Sequence, residues 1–244
     1  MGVFSDLEIL RAIKDGWIVC YPLNPKHIKG ASLDVTLGEW FYLTDRSGTD
    51  PYYNFYSEAE VKRYFGEAKR AISHQEWCDR HSRRLFDGIP SEALIIVLKP
   101  HERILAHTNE FVGIRFPSGT TQMQARSTIG RNGVVVCKDA GWGDPDYWSR
   151  WTMEIQNDND HHIVLVAGQR VAQIVFSHTG DVAHSYGGDK YQSSEKTLER
   201  IVEVWAPEAM LPKLYLDPIE PLVPATAEGV TDYYRQLEGL EIAT

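Results

Sequence analysis

The sequence predicts a mainly β protein, a sandwich or barrel of short strands. From Ala93 onward, Ala93–Leu98, Arg103–Thr108, Glu110–Arg115, Val134–Cys137, Trp151–Gln156, His162–Val166 and Arg170–Phe176 are apolar and β-branched runs. Turn residues separate them at close spacing, which favours a sheet folded on itself over alternating strand–helix units. At 244 residues with 43% hydrophobic content the chain can bury one good core.

The first element is a short helix. Ser5-Asp6-Leu7-Glu8 is a capping box, and Leu7, Leu10 and Ile13 recur at helical spacing before Gly16. Past Pro22, Pro25 and Gly30, the run Ser32–Gly38 alternates as a half-buried strand does. An aromatic-rich loop, Pro51–Tyr56, precedes a second capping box at Ser57–Glu60. That box opens a helix with Val61, Tyr64, Phe65, Ala68 and Ile72 on one face. The helical region, about residues 57 to 86, reads as an insertion between strands. Residues 1–196 are expected to form one domain. Residues 197–244, with Pro207, Pro212, Pro218, Pro221 and Pro224 and a short helical segment near Thr231–Leu240, read as an arm or wrapping extension.

Composition narrows the function. A net charge of -9 argues against a nucleic-acid surface, which is normally basic. No apolar run approaches the roughly 18 to 20 residues of a membrane span, and Met1–Asp6 lacks the basic and apolar regions of a signal peptide. Three scattered cysteines, Cys20, Cys78 and Cys137, form no disulfide framework and fit a reducing cytoplasm. A small anionic substrate would need a local cluster of Arg, Lys and backbone N–H groups, helped by a divalent cation.

Gly-rich phosphate loops, nucleophile elbows and the zinc deaminase pattern of His-x-Glu with Cys-x-x-Cys are absent from the sequence. His74, Cys78 and His81 offer too few soft ligands for a structural zinc, so no metal site of the protein's own is expected. His161-His162 reads as a solvated hairpin turn.

The informative stretch is 124–176. Gln124–Gly133 sets Arg126 and Arg131 with Ser127 and Thr128 around a glycine-containing turn. Forked guanidinium donors and hydroxyls suit an oxyanion-rich ligand, though a helix start capped by Ser127 or Thr128 explains the same residues. Asp144 lies thirteen residues beyond Arg131, and Glu154 ten further, on the apolar strand Trp151–Ile155. If Glu154 faces a pocket, desolvation raises its pKa into the range of a general base; otherwise it lies on the solvent face of an amphipathic strand.

Together these segments resemble the dCTP deaminase branch of the trimeric dUTPase superfamily. Arg126-Ser127-Thr128-Ile129-Gly130-Arg131 is similar to that family's Arg-Ser-Ser-Leu-x-Arg motif. Asp144-Pro145 and Glu154 fall in register with its Asp-Pro-Gly…Leu-Glu segment. Gly168–Phe176 resembles its Gly-x-x-Ile-x-Gln-Leu-x-Phe strand, Gly30–Gly38 its opening pattern, and Lys190-Tyr191-Gln192 its C-terminal lid.

The resemblance implies a dUTPase-like β-barrel or jelly-roll in a homotrimer with active sites between subunits. It implies zinc-independent deamination of dCTP to dUTP, with or without onward hydrolysis to dUMP and pyrophosphate. Glu154 would activate water for attack at cytosine C4, positioned by Ser127, Arg131 and the Ala140 carbonyl. Arg126, Thr128 and Gln173 would hold a deoxypyrimidine nucleoside triphosphate carrying Mg²⁺, and Lys190 and Tyr191 would close over it. Asp144 would lie near the deoxyribose and, in dUTPase-type chemistry, activate a water against the α-phosphate.

Ala140-Gly141-Trp142 resembles the bifunctional enzymes, which puts Trp142 among the substrate-binding residues. Departures from the pattern are Asp146 and Ser149 where the family has glycines, Cys137 where some deaminases carry His, and Ser193-Ser194 after the lid motif. A pyrophosphatase using Asp144 alone and an inactive dNTP-binding regulator remain the alternatives.

Overall fold

The structure is a computed structural model that describes residues 2–44, 51–115, 118–186 and 190–240. Its strands are β1 (Ile18–Tyr21), β2 (Ile28–Lys29), β3 (Ser32–Leu43), β4 (Lys69–Arg70), β5 (Ile72–Ser73), β6 (Leu94–Leu98) and β7 (Arg103–Ile114). They continue as β8 (Gly119–Ala125), β9 (Val134–Val135), β10 (Trp142–Gly143), β11 (Trp148–Asn157), β12 (Ile163–Val166) and β13 (Arg170–His178). Helices are α1 (Asp6–Lys14), α2 (Glu58–Phe65), α3 (His74–Arg80), α4 (Ser127–Arg131), α5 (Leu198–Val204) and α6 (Gly229–Glu238).

The protein is mainly β, as its sequence predicts. A curled antiparallel sheet runs β10-β8-β13-β3-β7-β11-β9, with β1 on β7 and β2 and β4 on β3; a smaller sheet is ordered β12-β6-β5. One core fills the curl, with Ile9, Leu33, Leu37, Ile104, Ile114, Met153, Ile155, Ile174 and Phe176 essentially dry. Each such side chain contributes roughly 1.5–3 kcal/mol relative to exposure.

Several boundaries differ from the sequence reading. The capping box of α1 forms, Ser5 Oγ accepting from Glu8 N–H while the Glu8 carboxylate accepts from Ser5 N–H. The buried face, however, carries Ile9 and Ala12, while Leu7 and Leu10 are exposed. The runs 103–108 and 110–115 are one strand, β7. Asn109-Glu110 looks like a turn in sequence, but Glu110 is buried and accepts from Thr36 N–H at 2.9 Å and Thr36 Oγ–H at 2.7 Å. Strand β8 escaped prediction because Gly-Thr-Thr-Gln is polar. Its Thr120 and Thr121 are buried all the same, their hydroxyls donating to the Gly143 carbonyl at 2.7 and 3.3 Å.

The helical reading of 57–86 holds only in part. Gly66, at φ +62, ends α2, and Ile72 lies on β5, not on that helix. Val61, Tyr64, Phe65 and Ala68 do share a second apolar cluster with Tyr42 and Leu105. His74 and Cys78 serve structure: His74 Nδ1 and Nε2 face the Ile89 carbonyl and the Phe86 N–H, and Cys78 donates to the Arg84 carbonyl. Residues 197–217 return to the body, where Met210 and Leu211 join the second cluster and Trp205 packs on His107 and Phe111. Among the described residues no helix is long and apolar enough to cross a membrane.

Candidate active site

From Ser149 onward strand β11 alternates in burial, so Trp151, Met153 and Ile155 enter the core while Arg150, Thr152 and Glu154 face the other way. That second face is not open solvent. It floors a cavity of about 280 Å³ lined by Ala140, Trp142, Asp144, Tyr147, Arg150, Glu154, Tyr186 and Tyr191, with Ala209, Met210 and Pro212 from the C-terminal extension. Glu154 is half-buried, and its Oε2 has no hydrogen-bond partner among the described residues. Burial raises its pKa above the ordinary carboxylate value, opposed only partly by its own backbone N–H and by the Arg103 charge. A carboxyl so placed can both take a proton and return it.

The Asp144 side of the cavity is built by close approach. Gly143 pairs with Thr121 across β10 and β8, and a Cβ at 143 would lie 2.2 Å from Thr121 Oγ1 and 2.5 Å from the Trp151 ring. Only glycine fits there. Asp144, exposed, accepts from the Trp142 indole N–H at 3.0 Å. Asp146 then adopts φ +69, the left-handed conformation that explains a glycine in the family motif and that Asp tolerates better than most residues. Gln192 fastens this turn, donating to the Asp146 carbonyl at 3.0 Å and accepting from Trp148 N–H at 2.8 Å.

Sequence reasoning missed Tyr147, Arg150 and Tyr186. Tyr147 packs edge-on to Trp151 and Tyr186, and burial raises its phenol pKa. Arg150 donates to the Asn109 carbonyl at 3.2 Å and lies 4.5 Å above the Trp205 ring and 4.9 Å above Phe111. An arginine set between Trp148 and Trp151 was the available signal.

Arg126, Ser127, Thr128, Arg131 and Gln173 lie outside this cavity. Ser127, Thr128 and Arg131 are exposed on α4. The N-cap of α4 is Arg126, so neither Ser127 nor Thr128 caps it. Arg126 Nε lies 3.2 Å and Arg170 Nη1 2.9 Å from Asp34 Oδ2, and Gln173 pairs with Gln124 and Asp34 on the neighbouring strands. Tyr191 lines the Glu154 cavity; Lys190 lines the adjoining one. Among the described residues no group of three His, Cys, Asp or Glu side chains could hold a metal ion.

A curled antiparallel sheet thus carries a desolvated carboxyl at the foot of a cavity lined by aromatic side chains, a setting suited to proton transfer. Comparison makes the class specific. Residues 3–179 match the family model described as dCTP deaminase-like, and the chain belongs to that family. It is 29% identical over 203 residues to a dCTP deaminase, dUMP-forming, of Methanopyrus kandleri, covering 80% of this chain and 93% of the relative. Identity to the protein of the same description from Methanobrevibacter smithii is 32% over 178 residues, 72% of this chain and 80% of the relative. A dCTP deaminase of Halorubrum lacusprofundi is 29% identical over 79% of this chain and 87% of its own length. The solved dCTP deaminase of Agrobacterium tumefaciens superposes with a TM-score of 0.49 at 17% identity, over 72% of this chain and 47% of that one.

Proposed function

We propose that this protein deaminates dCTP and carries the resulting dUTP on to dUMP and pyrophosphate. The observation that carries the reading is the Glu154 carboxyl: half-buried, one oxygen unpartnered, its pKa raised, in one cavity with Asp144. Glu154 takes a proton from water as the oxygen attacks cytosine C4 and gives it to the departing amine, so the C4–N bond breaks and ammonia leaves; the remaining hydroxyl proton passes to N3 as the carbonyl of uracil forms. Ser127, Arg131 and the Ala140 carbonyl orient that water, and Trp142 and Tyr191 bound the nucleotide. Asp144 activates a second water against the α-phosphate. Its exposed position on the same cavity favours the onward hydrolysis over deamination alone.

Arg126, Thr128 and Gln173 offer donors and hydroxyls suited to phosphate oxygens, and Lys190 closes over them. Mg²⁺ would be held through those phosphate oxygens as part of the substrate, neutralising charge there. The separation of the Arg126–Arg131 group from the Glu154 cavity within one chain supports an oligomer in which one subunit's arginines complete its neighbour's pocket, and the family resemblance makes that oligomer a homotrimer.

The test is incubation with dCTP and Mg²⁺, resolving nucleotides and assaying ammonia and pyrophosphate. Formation of dUMP with both small products is the expected result. Accumulation of dUTP would remove the second step, and dCMP without ammonia would remove the deaminase reading.

A further inference from the structure

We propose that the C-terminal extension is part of the catalytic apparatus, its Lys213 and Asp217 acting as positioning residues that latch Lys190 and Tyr191 over the pocket before nucleotide arrives. The inference rests on the function proposed above for those two residues, but it draws on contacts that function does not use.

Four contacts join the two segments. Lys190 Nζ donates to Asp217 Oδ1 at 2.5 Å. Lys213 Nζ donates to the Lys190 carbonyl at 2.6 Å, and the Lys213 backbone N–H donates to Tyr191 Oη at 3.0 Å. The Lys213 ammonium also lies 5.5 Å from the centre of the Tyr191 ring. Main chain, side chain and charge of the Lys190-Tyr191 pair are thus all held by residues 213–217.

The extension is itself anchored. Met210 and Leu211 are buried with Tyr42, Val61, Phe65 and Leu105, and Trp205 lies on His107 and under the Arg150 guanidinium. Ala209, Met210 and Pro212 line the same cavity as Glu154. A covering segment held by such an anchor loses less conformational freedom when ligand binds, which favours affinity. Asp217 therefore sets where the Lys190 charge sits, and Lys213 sets where the Tyr191 ring sits.

Asp217 is the residue to change, because its side chain is 40% exposed and its loss leaves the apolar anchor intact. Asp217→Ala is compared with Asp217→Glu and the unmodified chain by amide hydrogen exchange of residues 190–196 without nucleotide, and by KM and kcat for dCTP with Mg²⁺. Expected in Asp217→Ala are faster exchange in that segment and a KM raised about ten-fold with kcat within about two-fold, as for loss of pre-organisation. Asp217→Glu restores both, which a general loss of stability would not allow. Unchanged exchange in Asp217→Ala, or an unchanged KM, overturns the latch alone. Failure of the unmodified chain to bind or convert any deoxypyrimidine triphosphate instead overturns the reading beneath it.

Discussion

The imidazole of His107 occupies the space that a side chain at residue 38 would fill. A Cβ built on Gly38 would lie 2.0 Å from His107 Cε1, 2.3 Å from Nδ1 and 2.5 Å from Nε2. The ring is wedged between β3 and β7 where their register slips, between Leu37–Thr108 and Phe41–Ala106. His107 is 1% exposed, faces the Thr108 carbonyl with Nδ1 at 2.7 Å, and accepts from Trp40 N–H with Nε2 at 3.2 Å. Gly38→Ala should therefore displace the ring and destabilise the chain by about 1–3 kcal/mol, as overpacking does. Urea unfolding midpoints measure it, and a midpoint equal to the parent's would contradict the wedge.

The same ring makes stability depend on pH. Burial lowers the His107 pKa from 6.5 to about 4, against the opposing hydrogen bond to Thr108 and together with the Arg150 charge. Below pH 6.5 the unfolded chain takes up a proton that the folded chain refuses. The contribution is thus fully present above pH 6.5 and is lost as pH falls from there towards 4, by up to roughly 3 kcal/mol. Melting curves over that range should show the loss, and His107→Gln should flatten this part of the dependence.

Glu154→Gln keeps the size of the side chain and removes the proton shuttle. Ammonia release from dCTP should fall by about 10² to 10⁴, while dCTP affinity changes little. In the parent the rate should decline as pH falls through a carboxyl pKa above the ordinary value, because the proton-accepting form is lost. Parent-like ammonia release by the variant would remove Glu154 from the mechanism.

Asp144→Asn should separate the two proposed steps. Ammonia release should persist and pyrophosphate release should fall by at least about ten-fold, as loss of a general base requires. The indole N–H of Trp142 can still donate to the amide oxygen, so the turn should keep its shape. Equal loss of both products would point to a shared structural role.

If the pocket is completed by a neighbouring subunit, two inactive chains should rescue each other. Glu154→Gln and Arg131→Ala, unfolded and refolded together in equal amounts, would leave roughly a quarter of the sites with both native residues, given random assembly of sites shared by two subunits. Activity near that fraction supports shared sites. Activity no greater than the sum of the separate chains would place both residues in one subunit's site.

Much of this was legible in sequence because it rests on short-range pattern. The Ser5–Glu8 capping box and the alternation along β11 are local, and Glu154 stands out as a carboxyl on an apolar strand. What escaped depended on partners distant along the chain. Glu110 resembles a turn residue until Thr36, 74 residues away, satisfies its carboxylate. Strand β8 looks polar until the Gly143 carbonyl accepts from its threonines. Arg150 reads as a surface charge until Trp205, arriving from the extension, covers it. The extension, rich in proline, reads in sequence as an arm or wrapping segment, but no periodicity marks Trp205, Met210 and Leu211 as the residues that dock.

Trp205 touches both His107 and Arg150, so one indole joins a ring wedged inside the sheet to a guanidinium that lines the Glu154 cavity. Elements joined through a shared packing contact tend to open as one cooperative unit. Residues 197–217 are then no separate appendage: unfastening them loosens the sheet interior and the cavity wall in the same event.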